Sequence, residues 1–332
     1  MKTVSFGIEN LCVPCHAHCR YCLLSSCGKA TGVSYQRGKA LSERLFDEAK
    51  HQRPDLKLFH YIGYCMDDVH LMDYIDFSKK IDSPSAKFLQ LNGLAIRDAD
   101  ETKQLIGQLV SAGIETIDLT FYGTRDYHDR FAGRAGDFDY LLCLLRTANH
   151  FRLNVQVSIP VIKENIDQID DLLRLIRTDT LGGCSLFVPH GKGRGKHLDK
   201  LRVEEEDLEL LHGESKRFLS PCRTESEWLA DIKKNKAERR SLVLALSPGE
   251  IDRLEAMSLE EILGELEELD DRYYSMIPCD EDLAIRYGDP HGKRLYRRFR
   301  DLQLEWQRRY LDENCLDIWD MNDESHHFSV RT

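Results

Sequence analysis

No run of this chain is apolar for the roughly 20 residues that a membrane-spanning helix needs. The first residues, Met1 to Asn10, lack the long apolar core of a secretory signal. Positive charge is short: 46 Lys and Arg stand against 57 Asp and Glu, for a formal net charge of −11. That balance argues against nucleic acid or an anionic membrane surface as the main partner. The basic, glycine-rich stretch Gly191-Lys192-Gly193-Arg194-Gly195 lacks the Gly-Lys-Ser/Thr ending of a phosphate loop. A second C-x2-C knuckle at zinc-finger distance is missing too. These absences point to a cytoplasmic protein, in which thiols stay reduced. Its eleven cysteines are an odd number, which excludes a complete internal disulfide framework. With 332 residues, 42% hydrophobic and 31% charged, the chain can build one large domain with an extension, or two domains.

What is present is concentrated near the start. Cys15, Cys19 and Cys22 stand at C-x3-C-x2-C, just after an alternating apolar run. Thiolates are the usual protein ligands of iron–sulfur clusters. Three from one loop can hold three irons of a cubane and leave the fourth iron open, whereas a cluster that only passes electrons normally has four cysteines. Two other readings belong beside this one. A non-catalytic electron-transfer or redox-sensing cluster would recruit His16, His18 or Cys12 as a fourth ligand. A zinc-stabilised interaction module would use His16 or His18.

The rest of the chain alternates strands and helices. Val4, Phe6 and Ile8 mark a first strand, with the cysteine loop at its C-terminal end. A helix over 40–52 and a strand over 56–61 follow, then a helical stripe of Val69, Met72 and Ile75. Residues 88–91 form a third strand. Asp98-Ala99-Asp100-Glu101 has the form of a capping box and opens a helix carrying Leu105, Ile106, Leu109 and Val110. Ile117, Leu119 and Phe121 give a fourth strand, and Phe138, Leu141, Leu142 and Leu145 a fourth helix. Val155, Val157 and Ile159 give a fifth strand, and Asn165 to Gln168 cap a fifth helix. Leu186 to Val188 is a sixth strand, followed by a helix over 203–219. Regular alternation with short connections predicts an α/β fold with a parallel sheet and outer helices. Asp118, Thr120 and Tyr122 share one face of strand four, as Gln156 and Ser158 do on strand five. Parallel strands are rarely solvent-exposed, so these polar groups are expected to line an interior.

The three-cysteine spacing, its position and the six units together resemble the radical SAM enzyme superfamily, over about residues 3 to 219. The resemblance implies a partial (β/α)6 TIM-like barrel over 1–219, with a mainly helical C-terminal extension over 220–332. It implies a [4Fe-4S] cluster on Cys15, Cys19 and Cys22, with S-adenosylmethionine (SAM) chelated at the open iron. It also implies reductive cleavage of SAM to a 5′-deoxyadenosyl radical, oxygen sensitivity, and an electron donor such as flavodoxin or ferredoxin. Tyr21, before the third cysteine, takes the aromatic place beside adenine. Gly63-Tyr64-Cys65 stands where family members often carry a Gly-Gly-Glu-like motif; only Gly63 matches, and a carboxylate would have to come from Asp67 or Asp68. Asn92-Gly93 resembles the Asn-Gly ending of strand three. Thr120 matches a strand-four SAM contact, and Ser158 a ribose contact. His128 to Phe138 looks like the corresponding segment of peptide-modifying members, with Arg134 facing the methionyl carboxylate. The substrate class implied is a peptide or a small metabolite. The spacing of auxiliary-cluster cysteines is missing from the C-terminal third, although Cys12, Cys27 and Cys65 could gather on a second site. His190 reads as a proton donor or a turn residue.

After Ser220-Pro221-Cys222 the pattern changes. Ser247-Pro248-Gly249-Glu250 and Ser258-Leu259-Glu260-Glu261 both read as capping boxes. Leu259, Ile262, Leu263 and Leu266 form one amphipathic stripe, and Leu295, Phe299, Leu302 and Trp306 another. Arg294, Arg297, Arg298 and Arg300 interleave with the second stripe; they could bind an acidic peptide, and are expected instead to pair with the glutamate-rich face of the first stripe's helix. Phe328 to Val330 reads as a closing strand.

Overall fold

The computed structural model describes residues 2–10, 12, 15–22, 32–62, 67–83, 86–177, 183–191, 193–234, 239–318 and 320. The elements run β1 (Lys2–Asn10), α1 (Tyr35–Gln52), β2 (Lys57–Ile62), α2 (Leu71–Lys80), β3 (Phe88–Gln90), α3 (Ala99–Ser111) and β4 (Thr116–Thr120). Then come α4 (Arg125–Ala132), α5 (Asp137–His150), β5 (Asn154–Pro160), α6 (Ile169–Arg177) and β6 (Cys184–Phe187). The last third holds β7 (Arg223–Thr224), α7 (Glu225–Ala230), β8 (Arg239–Ala245), α8 (Ile251–Ala256), α9 (Leu259–Met276), α10 (Asp280–Tyr287), β9 (Leu295–Tyr296) and α11 (Phe299–Glu313).

The fold is α/β, and both larger sheets are parallel throughout. One has the order β3-β4-β5-β6 and the other β2-β1-β8. They do not close into a full ring among the described residues, in keeping with a partial barrel. Alternation decides which face is which. Leu89, Ile117, Leu119, Val155, Val157, Ile159 and Leu186 turn outward into a core shared with α3, α5 and α6. The residues between them turn the other way. Strand register sets Gln90, Asp118 and Gln156 in one row, and Thr120, Ser158 and Ser185 in the next. The polar inner face expected from the sequence is therefore present.

A second core packs Phe6 and Ile8 of β1 and Leu242 and Leu244 of β8 under α1 and α9. The stripe Leu259, Ile262, Leu263 and Leu266 supplies the α9 side. Each such aliphatic side chain contributes roughly 1.5–3 kcal/mol by burial. The capping boxes at Asp98 and Ser258 both form. β8, not legible in the sequence, runs along the free side of β1 from Lys2↔Arg239 to Glu9↔Ala245.

Several local expectations are corrected. Residues 203–219 are not an α-helix but short 3-10 turns, Glu206–Leu210 and Ser215–Phe218. Gly213 between them takes φ +51°, and the His212 N–H and Ser215 hydroxyl both donate to Asp170, so tertiary partners replace the helical ladder. Ser247 makes no cap: α8 begins after Glu250, with no side-chain cap bond. Val69 precedes α2 and is 93% exposed, while Leu71, Tyr74 and Ile75 carry the buried stripe. The helix α4 was not read from the sequence. The strand expected at Phe328 to Val330 lies outside the described residues.

Candidate cofactor-binding site

The cysteine loop leaves the C-terminal end of β1 and is tied to two other elements by its main chain. The His16 N–H donates to the Gly93 carbonyl (2.9 Å), just past β3. The His18 and Arg20 N–H groups donate to the carbonyls of Ala132 (2.8 Å) and Phe131 (2.9 Å), at the end of α4. Two glycines make this fit possible. Gly93 has φ +83°, and a Cβ there would stand 2.2 Å from Cys15 Sγ. Gly133 has φ +64°, and a Cβ there would stand 2.9 Å from the His18 carbonyl oxygen. Left-handed backbone of this kind favours glycine.

Cys12, Cys15, Cys19 and Cys22 are all free of disulfides. Burial pushes the Cys19 thiol up to about 12, a hydrogen bond with Tyr122 pulls it down, and Cys15, Asp137 and Cys22 add to the rise. Cys12 faces elsewhere: its sulfur lies 2.9 Å from the Tyr74 hydroxyl and 3.4 Å from Asp68. Burial pushes its thiol up to about 11. His16 Nε2 lies 3.3 Å from Asp67, which also accepts from the Ala95 N–H and from Arg97.

Three asparagines, Asn10 and Asn165 buried and Asn92 half-buried, knit the strand ends around the loop. Asn92 donates to the Thr120 carbonyl (2.9 Å) and accepts from the Thr120 N–H (2.7 Å), fixing the ends of β3 and β4 together. Asn10 does the same with both main-chain groups of Val33. Asn165 holds Tyr122, Pro160 and Ile162. Below them, Ser158 donates to Asp118 at 2.7 Å, and Gln90 reaches the Thr120 hydroxyl at 3.4 Å. Burial pushes the Asp118 carboxyl up to about 6, against the pull of Ser158.

Arg134 belongs to a buried relay. Its Nη1 donates to the Leu94 carbonyl, and Nε and Nη2 both donate to Asp137. Asp137 also accepts from His128 Nε2 (2.9 Å), whose Nδ1 accepts from the Tyr122 N–H (3.0 Å). That acceptor role assigns the imidazole proton to Nε2. Burial opposes ionisation of Asp137, but His128 and Arg134 hold its carboxyl below the usual range. The relay links the ends of β3 and β4 to the start of α5. His128 and Asp137 were not singled out from the sequence, because nothing in their spacing marks a pair that meets only through the left-handed turns at Gly133 and Gly136.

The other wall comes from β6 and the C-terminal third. Tyr21 is buried, its ring 6.3 Å from that of Phe187, and its hydroxyl accepts from the His190 N–H at 3.3 Å. Arg308 of α11 donates to the Gly191 carbonyl (2.7 Å), and Arg297 lies over the Phe187 ring. These arginines find acids within the chain, but outside the glutamate-rich helix α9 expected from the sequence: Arg294 pairs with Glu225 and Glu305, Arg298 with Asp301, and Arg300 with Asp320.

The candidate residues thus fall around one end of the strands: Cys15, Cys19, Cys22, Tyr21, Asn92, Thr120, Arg134 and Ser158. Gly63, Cys27 and Cys65 lie outside the described residues. Among the described residues, no three His, Cys, Asp or Glu groups gather around a single point as one metal ion requires. A cubane makes a different demand, taking each thiolate on a separate iron. Three reduced cysteines on a loop shaped by Gly93, with Cys15 and Cys22 near enough to Cys19 to help raise its thiol, fit that donor set.

No family model matches the sequence, and no curated protein matches it. Among solved structures, the chain is similar to SuiB of Streptococcus suis bound to its precursor peptide SuiA, at 14% identity and TM-score 0.47, over 86% of this chain and 55% of that one. It is also similar to anSMEcpe with bound AdoMet, at 13% identity and TM-score 0.41, over 72% of this chain and 64% of that one. A third is the coproporphyrinogen III oxidase HemN of Escherichia coli, a radical SAM enzyme, at 16% identity and TM-score 0.35, over 57% of this chain and 44% of that one. The chain spans about half the length of SuiB.

Proposed function

We propose that the chain is a radical SAM enzyme in which Cys15, Cys19 and Cys22 hold a [4Fe-4S] cluster with one iron left for S-adenosylmethionine. When bound, this cofactor pair supplies a 5′-deoxyadenosyl radical that takes a hydrogen atom from a substrate. The observation that carries the reading is the loop itself. It leaves the C-terminal end of β1, where barrel enzymes keep their reactive groups, and its main chain is bonded to Gly93 just past β3 and to Phe131 and Ala132 at the end of α4. Two of the three side chains able to supply a fourth protein ligand are engaged elsewhere, His16 with Asp67 and Cys12 with Tyr74 and Asp68.

The chain's own residues then divide the work. Thr120 and Ser158 offer hydroxyls along the inner face to a polar ligand. Asn92 and Arg134, whose polar groups are spent on Thr120, Leu94 and Asp137, act by holding the strand ends in place. Tyr21 closes the side toward β6, and Gly63 contributes main-chain groups after β2. Residues 1–219 supply most of the cofactor-bearing barrel, β8 adds a strand to it beside β1, and the rest of the C-terminal third is an extension that walls it. The segment from His128 to Phe138 is the ground for naming a peptide ahead of a small metabolite as substrate. A cytoplasmic setting with a flavodoxin or ferredoxin as electron donor completes the proposal.

The test is anaerobic reconstitution with iron and sulfide, then reduction in the presence of SAM. About four irons per chain and formation of 5′-deoxyadenosine are expected. Replacing Cys15, Cys19 and Cys22 by Ala should abolish both. Absence of 5′-deoxyadenosine under every reductant would overturn the proposal.

A further inference from the structure

The loop after β6 carries a histidine that the function above leaves without a task. His190 follows Phe187 by three residues, and its N–H donates to the hydroxyl of Tyr21, which lies between Cys19 and Cys22. The imidazole and the cysteine loop therefore share one wall. His190 Nδ1 meets Asp301 Oδ2 at 3.3 Å, across 111 residues of sequence. Asp301 is fully buried in the first turn of α11 and is also held by Arg298 at 3.1 Å. His190 is partly open, with 18% of its side chain exposed. Among the described residues its Nε2 has no hydrogen-bond partner. Burial alone would raise the Asp301 carboxyl, but His190 and Arg298 hold it well below the usual range, so it stays ionised behind the ring.

A ring nitrogen open at a strand end, with the other nitrogen oriented by a buried carboxylate, has the geometry of a base and its orienting group. We infer that His190, positioned by Asp301, accepts a proton from a hydroxyl or ammonium group of the substrate. This rests on the proposed function for the choice of mouth. In the step, the substrate O–H or N–H bond breaks and its electron pair stays on the heteroatom. The new bond is Nε2–H, and the imidazolium faces the Asp301 carboxylate, which it shares with Arg298, so the positive charge gained by the wall matches the negative charge left on the substrate heteroatom or the ammonium charge it gave up. No oxidant or reductant enters. Asp301 is a positioning residue, acting only through His190.

The decisive experiment needs neither cluster nor SAM. The full chain is treated with diethyl pyrocarbonate, which acylates accessible neutral imidazole, and each histidine is followed by peptide mass spectrometry. His190 should be labelled, and Asp301→Asn should slow it about tenfold, while the exposed His51 and His291 keep their rates and the fully buried His128 stays unlabelled, which reports an intact fold. In the unaltered chain, imidazole nitrogen NMR should find the neutral ring protonated at Nδ1. No labelling at His190, no response to Asp301→Asn, or a proton on Nε2 would each overturn the inference. In the reconstituted chain, with a degenerate synthetic peptide pool as probe, His190→Ala should lower product by about a hundredfold and added imidazole should restore part of it. A loss that imidazole leaves unmoved would overturn the proton-accepting role. Failure to form 5′-deoxyadenosine at all would sink the proposed function, while the labelling and tautomer results would stand by themselves.

Discussion

Gly93 and Gly113 offer a matched pair of perturbations. Their φ angles are +83° and +82°, so alanine at either must adopt the same left-handed backbone. That conformation costs an ordinary residue roughly 1–2 kcal/mol. A Cβ at Gly113 would meet nothing within 4 Å, so Gly113→Ala should cost that much and no more. A Cβ at Gly93 would stand 2.2 Å from Cys15 Sγ. Non-bonded atoms want about 3.5 Å or more, so the sulfur or the loop must shift by roughly 1 Å. The loop cannot lift away cheaply, because His16 is bonded to the carbonyl of Gly93 itself, a bond worth about 1 kcal/mol net. Gly93→Ala should therefore exceed Gly113→Ala by about 1–3 kcal/mol in urea unfolding of the reduced, iron-free chain. After anaerobic reconstitution it should also retain less iron, while Gly113→Ala retains the full amount. Equal midpoints and equal iron in the two variants would refute the argument that Gly93 is reserved for the Cys15 thiol.

Three further outcomes follow from the same structure. Asn92→Ala strands the buried N–H and carbonyl of Thr120 at about 1–3 kcal/mol each, so urea unfolding should show a loss of roughly 2–4 kcal/mol, and a loss below about 0.5 kcal/mol would contradict the tie. Asp118 is raised to about 6 in the folded chain, so what it contributes is present at low pH and is lost as pH rises through about 6. Asp118→Asn should accordingly raise the urea midpoint relative to the unaltered chain above pH 7, with the gain vanishing below about pH 4; a gain independent of pH would refute this. Asp137→Ala removes the carboxylate between His128 and Arg134 and should cost about 3–5 kcal/mol, whereas Glu164→Ala, at an exposed pair with Arg20, should cost under about 1 kcal/mol; comparable losses in the same unfolding assay would contradict the buried relay.

Much of the frame was legible because it rests on short-range chemistry. Period-two alternation marked the strands from Val4, Ile117 and Val155, and period-3.6 stripes marked α3, α5 and α9. Asp98 and Ser258 announced their helices because a capping box is complete within four residues. Where local pattern and tertiary demand diverged, the sequence misled. Residues 203–219 carry enough leucine to look helical, yet Asp170 and the turn at Gly213 draw their donors away. In Ser247-Pro248-Gly249-Glu250 the cap spacing is right, but the helix starts only after Glu250.

By itself, then, the amino-acid order determined the α/β class, the polar inner face and the grouping of three thiols, since each depends on neighbours within a few residues. Only the tertiary structure decided which strand lies beside β1, what Asn92 and Arg134 spend their hydrogen bonds on, and that His190 stands against Asp301. The reason is physical. Hydrogen-bond partners of buried polar groups are chosen by whichever element the packing brings within about 3 Å, and no periodicity along the chain encodes a meeting across 111 residues.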